Sequence, residues 1–271
     1  MKAMQHMPAI DLDPLEDEVK DRRFVTALAR GLDVLRCYRP GDVSLSNLEI
    51  AKRTGLPKPT ISRLTYTLTR LGYLTYSERH GTYQLGSGVL SLGYAMLSGL
   101  DIRERARPLM QELADHADAT IALGGRDRMD MVYLEVCRGP GAVTLRIDVG
   151  ARLPLAPTSI GRALLAVLPE DEREFLLDHL KKRETKKDYD RLRKGIESSI
   201  EQIRERGFCT SFGEWRSDIN AAAVPVISGD RNVYAINCGG PAFKISREAL
   251  EKDYGPRLVQ IAARISVARS L

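Results

Sequence analysis

The clearest pattern of apolar and polar positions lies in residues 46–71. Ile50, Ala51 and Thr54 form one inward-facing group, and Ile61, Leu64, Leu68 and Leu71 recur at three- and four-residue spacing. That periodicity predicts two short helices. Ser46 followed by Glu49 fits a capping box at the start of the first, and Gly55 stands where a helix ends. Leu56 and Pro57 make the turn, and Pro59 suits the first turn of the second helix. Residues 24–38 predict a preceding helix, with Ala27, Leu28, Leu32, Val34 and Leu35 available to a core. Residues 73–76 and 82–85 are β-prone runs about a polar, glycine-containing turn, which predicts a hairpin. Three helices and a hairpin make a winged helix-turn-helix, placed over residues 21–86.

Past the hairpin, Gly86, Ser87 and Gly88 interrupt the pattern. Val89, Leu92, Ala95 and Met96 then predict a helix up to Gly99, and Asp101 is placed as the cap of a further helix with Leu109, Leu113 and Ala117. Residues 87–103 read as a linker helix whose apolar stripe could pack on its own winged helix or on a second subunit. From Ala119 onward the pattern predicts strands over 120–123, 131–136 and 143–147. Helices follow over 158–168, 170–180 and 189–206, then an antiparallel hairpin of 222–227 with 233–238, then a final helix over 246–268. Strands in a meander with helices beside them predict an antiparallel sheet over residues 104–271. The fold class is therefore multidomain α+β.

Charge sharpens the functional reading. Residues 20–85 hold twelve Lys or Arg against five Asp or Glu, a net of +7, whereas all 271 residues carry only +5. The excess sits in the predicted winged helix, as counterion release on DNA requires. On the outer face of the second short helix stand Lys58, Thr60, Ser62, Arg63 and Tyr66. Ser62, Arg63 and Tyr66 are candidates for base edges; Lys58 and Thr60 are candidates for phosphate, with Arg79 of the hairpin tip. The alternative is an amphipathic helical hairpin with a solvated basic face, and the flanking helix and hairpin favour the DNA reader. His80, also at the tip, serves a phosphate contact or a solvated turn.

Other classes gain little. No run reaches the roughly 18 apolar residues of a membrane span. The opening segment lacks the apolar core of a signal peptide, so the expected location is the cytoplasm. Its acidic group (Asp11, Asp13, Glu16, Asp17, Glu18) reads as a disordered tail over residues 1–20 that could shield a basic surface. Cys37, Cys137, Cys209 and Cys238 form no CxxC, and His6, His80, His116 and His179 show no metal-ligand spacing. No metal or cofactor is expected, and the thiols read as buried and free rather than as a redox switch. There is no GxGxxG, no P-loop and no GxSxG elbow, so an enzyme is not expected. A small-molecule hydrolase and a ligand-independent architectural DNA-binding protein remain the competing classes.

Four stretches together resemble the IclR family of bacterial transcriptional regulators: EIAKRTGLPKPTISRL (49–64), GTYQLG (81–86), ARLPLAPTSIGRALLA (151–166) and NAAAVPV (220–226). The resemblance covers nearly everything from Phe24 to the C-terminus. It implies a winged helix joined by a linker helix to a GAF-like effector-binding domain. It also implies a dimer or dimer of dimers on double-stranded operator DNA, and repression or activation tuned by a small organic or aromatic acid. A catabolic operon is the expected target. The helix predicted near Thr158 has a physical basis for that role. Its start exposes unpaired N–H groups suited to a carboxylate, and Leu155, Thr158, Ser159, Ile160 and Gly161 stand around it. The other reading is that Thr158 or Ser159 only caps the helix.

The resemblance further implies that Asp218, Asn220 and Ala221, and the strand ending at Asn237 and Gly239, line the same cavity. The family commonly has Gly and Cys at positions 218 and 221, and Ser at 237 and 239, so an effector known for relatives does not transfer. Asn220 and Asn237 suit an amide, hydroxyl or carbonyl ligand, or bond neighbouring backbone. Trp215, the single tryptophan, lies in a segment (Ser211 to Ile219) that could fold over the pocket, and either stacks on an aromatic ligand or closes the domain's apolar edge. Met129, Met131 and Tyr133 are pocket wall or core.

Overall fold

The computed structural model describes residues 23–141, 147–229 and 231–266, in two units that divide between residues 99 and 100. The acidic segment, four residues of the strand expected over 143–147, and the end of the last helix lie outside the described residues.

The first unit contains α1 (Thr26–Arg36), β1 (Leu45–Ser46), α2 (Asn47–Thr54), α3 (Lys58–Arg70), β2 (Leu74–Ser77), β3 (Thr82–Leu85) and α4 (Ser87–Ser98). The capping box forms as its residues dictate. The Glu49 amide donates to Ser46 Oγ at 3.3 Å, and the Ser46 amide donates to Glu49 Oε2 at 2.8 Å. Gly55 ends α2 at φ +69°, in the left-handed region where a side chain would be strained. β3 lies between β1 and β2 in a three-stranded antiparallel sheet. The core gathers Val34, Tyr38, Leu45, Ile50, Ile61, Leu68 and Leu74.

Two expectations, for Leu71 and for α1, are corrected here. Leu71 is 64% exposed, because α3 ends at Arg70 and the chain turns outward. Fully buried Thr65 takes an inward position instead, its hydroxyl 2.9 Å from the Ile61 carbonyl. In α1 only Val34 and Leu35 pack on the core, while Ala27, Leu28 and Leu32 are exposed. α4 has no buried residue, and Leu90, Leu92, Tyr94 and Met96 are all exposed.

The second unit contains α5 (Asp101–Ala117), β4 (Thr120–Asp127), β5 (Asp130–Arg138), β6 (Arg152–Pro154), α6 (Ser159–Val167), α7 (Glu170–Arg183), α8 (Lys186–Arg206), β7 (Cys209–Phe212), β8 (Ile219–Ile227), β9 (Val233–Pro241), α9 (Arg247–Ala249) and α10 (Gly255–Ser266), the last two joined by a π-helical turn (Leu250–Tyr254). Asp101 is the first residue of α5 rather than its cap, and its side chain caps no amide there. The sheet is antiparallel in the order β6-β5-β4-β9-β8-β7, so β4 pairs with β9 rather than continuing a simple meander. α6 packs on β8, β9 and α8, while α5 and α10 pack together and against β5 and β8. Helices therefore stand on the sheet from both sides, which explains the small Ala222, Ala223 and Ala235 in its middle strands.

Candidate DNA-reading face and ligand cavity

In the first unit, Ile61, Thr65 and Leu68 pin one face of α3 to the core. The opposite face is thereby turned to solvent. Lys58, Ser62, Arg63 and Tyr66 are exposed and Thr60 is half-buried. Arg79 is exposed in the turn between β2 and β3. Arg53 has a different task. Its guanidinium grips both oxygens of Asp42 and donates to the Cys37 carbonyl at 3.0 Å, so its charge is spent on holding the fold.

In the second unit a cavity lies between the N-terminus of α6 and the sheet. It is lined by Tyr133, Ile147, Leu153, Thr158, Ser159, Ile160, Ser211, Trp215, Ile219, Ala221, Asn237 and Gly239. Strand register builds its floor. Ser211 stands opposite Ala221, and Ala221 opposite Gly239, so three small residues form one row across β7, β8 and β9. Asn237 belongs to the next row, opposite Ala223 and Ala122.

α6 starts abruptly because Thr158 is a full cap. Its Oγ1 accepts from the Gly161 amide at 3.3 Å and donates to the Pro154 carbonyl at 2.8 Å. A Cβ at Gly161 would stand 2.0 Å from the Leu155 carbonyl oxygen, so only glycine lets the entering chain fold against the helix. With the Thr158 hydroxyl engaged, the amides of Ser159 and Ile160 are helix-start donors without an intrahelical carbonyl.

In the same cavity, Asn237 Nδ2 donates to the Tyr133 hydroxyl at 3.2 Å. Asn237 Oδ1 is buried with no hydrogen-bond partner among the described residues. Burial pushes the Tyr133 phenol up to about 12, so at neutral pH it keeps a proton to donate. The pair therefore presents an acceptor and a donor side by side, in walls that are otherwise mostly apolar.

Thr158, Ser159, Ile160, Ala221, Asn237 and Gly239 thus come together at the cavity. Leu155 and Gly161 are buried behind it and shape the helix entry. Asp218 is exposed and paired with Arg216, with N–O distances of 2.9 and 3.1 Å. Asn220, one residue out of phase with Ala221, donates to the Ile245 carbonyl at 2.9 Å. Neither lines the cavity. Ser211 and Ile219 enter sequence reasoning only as the ends of a segment that could fold over the pocket, and Ile147 and Leu153 were not singled out, since nothing local marks them. Met129 and Met131 are core, whereas Trp215 and Tyr133 are cavity wall.

The chain matches two family models, the IclR helix-turn-helix domain over residues 27–78 and the bacterial transcriptional regulator IclR C-terminal domain over residues 94–267. It is 34% identical to the HTH-type transcriptional regulator TsaQ1/TsaQ2 of Comamonas testosteroni, over 89% of this chain and 87% of that one. It is 30% identical to the Pca regulon regulatory protein of Pseudomonas putida, over 88% and 82%. The crystal structure of an IclR family transcriptional regulator from Brucella abortus superposes with a TM-score of 0.87 at 52% identity, covering 96% of this chain and 97% of that one.

Proposed function

Because the chain belongs to the IclR family of bacterial transcriptional regulators, a class of DNA-binding proteins rather than enzymes, we propose that it controls a catabolic operon in response to a small organic acid. The observation that carries the effector half is the cavity. Ser159 and Ile160 at the start of α6 line it together with a polar pair, Asn237 and Tyr133, among mostly apolar walls. Amides at a helix start favour a carboxylate. Asn237 Oδ1 needs a donor and the Tyr133 hydroxyl offers one, so a hydroxyl elsewhere on the ligand answers both. Among the described residues, no carboxylate lines the cavity to repel an anion.

Residues 21–86 are the DNA reader, 87–103 the linker segment and 104–271 the effector-binding and oligomerisation part. Two copies set their α3 helices into successive major grooves about one helical turn apart. The exposed apolar residues of α4, together with Leu28 and Leu32 of α1, support self-association. Ligand binding shifts the population between subunit arrangements and so changes the spacing of the two readers.

The test is fluorescence anisotropy of the full chain on DNA upstream of its own and neighbouring genes, with a shuffled duplex as control. A preference of about 10³-fold or more is expected. Titrating benzoate and 4-hydroxybenzoate into the complex then reads the effector. Equal weak binding to both duplexes would sink sequence-specific control. Specific binding that no carboxylate alters would remove the effector half alone.

A further inference from the structure

Arg162 is only 2% exposed. A buried guanidinium needs partners for its charge and its donors. Its Nε donates to the Ala156 carbonyl at 2.7 Å, and Nη1 donates to Glu214 Oε2 at 2.6 Å. The two acceptors belong to different parts of the fold. Ala156 lies in the turn that delivers α6, and Glu214 lies in the loop between β7 and β8. To reach it the side chain passes α8 at Gly195, where a Cβ would stand 2.4 Å from Nη2. Gly195 therefore leaves the channel through which the guanidinium arrives.

The loop carrying Glu214 is a strap. Its base is closed by the Gly213 amide donating to the Ile219 carbonyl at 2.9 Å. Beside Glu214 comes Trp215, a wall of the ligand cavity. As the strap stands, water can occupy only about 30 Å³ of that cavity. Sites for small organic ligands are typically about 300 Å³ or more. Something must move before an acid enters. α6 and the sheet are held by the main apolar core, against which Trp215 packs only partly buried, and the Glu214 carboxylate is the strap's polar tie to Arg162. That carboxylate is 42% exposed and edges an open groove lined by Lys186, Lys187 and Lys194, so solvent reaches its end of the pair.

We propose that Arg162 and Glu214 are positioning residues, a latch that holds Trp215 against the cavity and whose release admits the effector. The gating role rests on the reading of this cavity as the effector site. The latch itself is read without any ligand, because Trp215 is the chain's single tryptophan. In the full-length protein, Glu214→Ala raises acrylamide quenching of Trp215 at least about twofold and shifts its emission to the red. Glu214→Gln, which keeps an acceptor, gives a smaller rise. Gly195→Ala displaces the guanidinium from the far side and gives a similar rise, with far-UV circular dichroism unchanged in all three. Stopped-flow mixing with 4-hydroxybenzoate then shows entry and exit both faster in Glu214→Ala. Quenching unchanged in both Glu214→Ala and Gly195→Ala overturns the latch. A freed Trp215 with unchanged binding rates overturns its gating role. A freed Trp215 with no acid bound by either protein removes the effector reading and leaves the latch standing.

Discussion

Lys58 and Arg63 share one exposed face of α3, yet their side chains are suited to different work. A guanidinium makes paired hydrogen bonds to a guanine edge, whereas an ammonium acts as a point charge on phosphate. Arg63→Ala should therefore weaken operator binding by about 1–3 kcal/mol and relax preference at one base position. Lys58→Ala should weaken all duplexes alike and reduce the salt slope by about 1. Anisotropy at several salt concentrations separates the two. At the cavity, Ser159→Phe should abolish the effector response while sparing operator binding, because the ring fills a space with room for little more than water. The thiols make a residue-level prediction about pH. Burial pushes Cys209 and Cys238 up to about 12, and Cys37 and Cys137 up to about 11. In the unfolded chain a thiol titrates near about 8.5. The folded state thus holds these protons more tightly, and that stability is fully present below the unfolded value and is lost as pH rises toward the folded values. The urea midpoint should fall between pH 8 and pH 10, and thiol reagents at pH 8 should react only after unfolding.

At the scale of elements, the signals that were legible are local ones. The capping box at Ser46 and Glu49, the left-handed Gly55 and the 3.6-residue stripe each depend on a few neighbouring residues, and each forms as its residues dictate. Ser46→Ala should lower hydrogen-exchange protection of the α2 amides by about 1 kcal/mol. Elements whose existence depends on a distant partner were not legible. β1 is two residues long and is defined by its register with β3. Among the described residues, β6 and β7 are strands of three and four residues that pair only with β5 and β8. Leu71 illustrates the same limit inside a helix, since the apolar spacing continues one position past the end of α3.

At the scale of the whole molecule, α4 is the outlier. An apolar helix with Leu90, Leu92, Tyr94 and Met96 all exposed is unfinished as a single chain in water. If self-association covers it, Leu90→Asp combined with Tyr94→Asp should move sedimentation of the full chain from dimer toward monomer and weaken operator binding steeply. A double variant that sediments like the parent would place the subunit contact elsewhere.

Taken by itself, the sequence determined the winged helix, its basic outer face and the helix that starts at Thr158, because short-range periodicity, caps and charge are written in adjacent residues. It also carried enough of four motifs to identify the family. The cavity wall is a different kind of object. Tyr133, Ser211, Asn237 and Gly239 come from three strands, and only antiparallel register and the bulge at Leu123 and Gly124 bring them to one side of the sheet, where the β7–β8 loop adds Trp215. Asp218 and Asn220 show the converse. They are neighbours of Ala221 in the chain, but the ion pair with Arg216 and the bond to Ile245 point their side chains to other tasks. The tertiary structure alone decided which face each strand residue shows, since a one-residue change of phase moves a side chain to the opposite side.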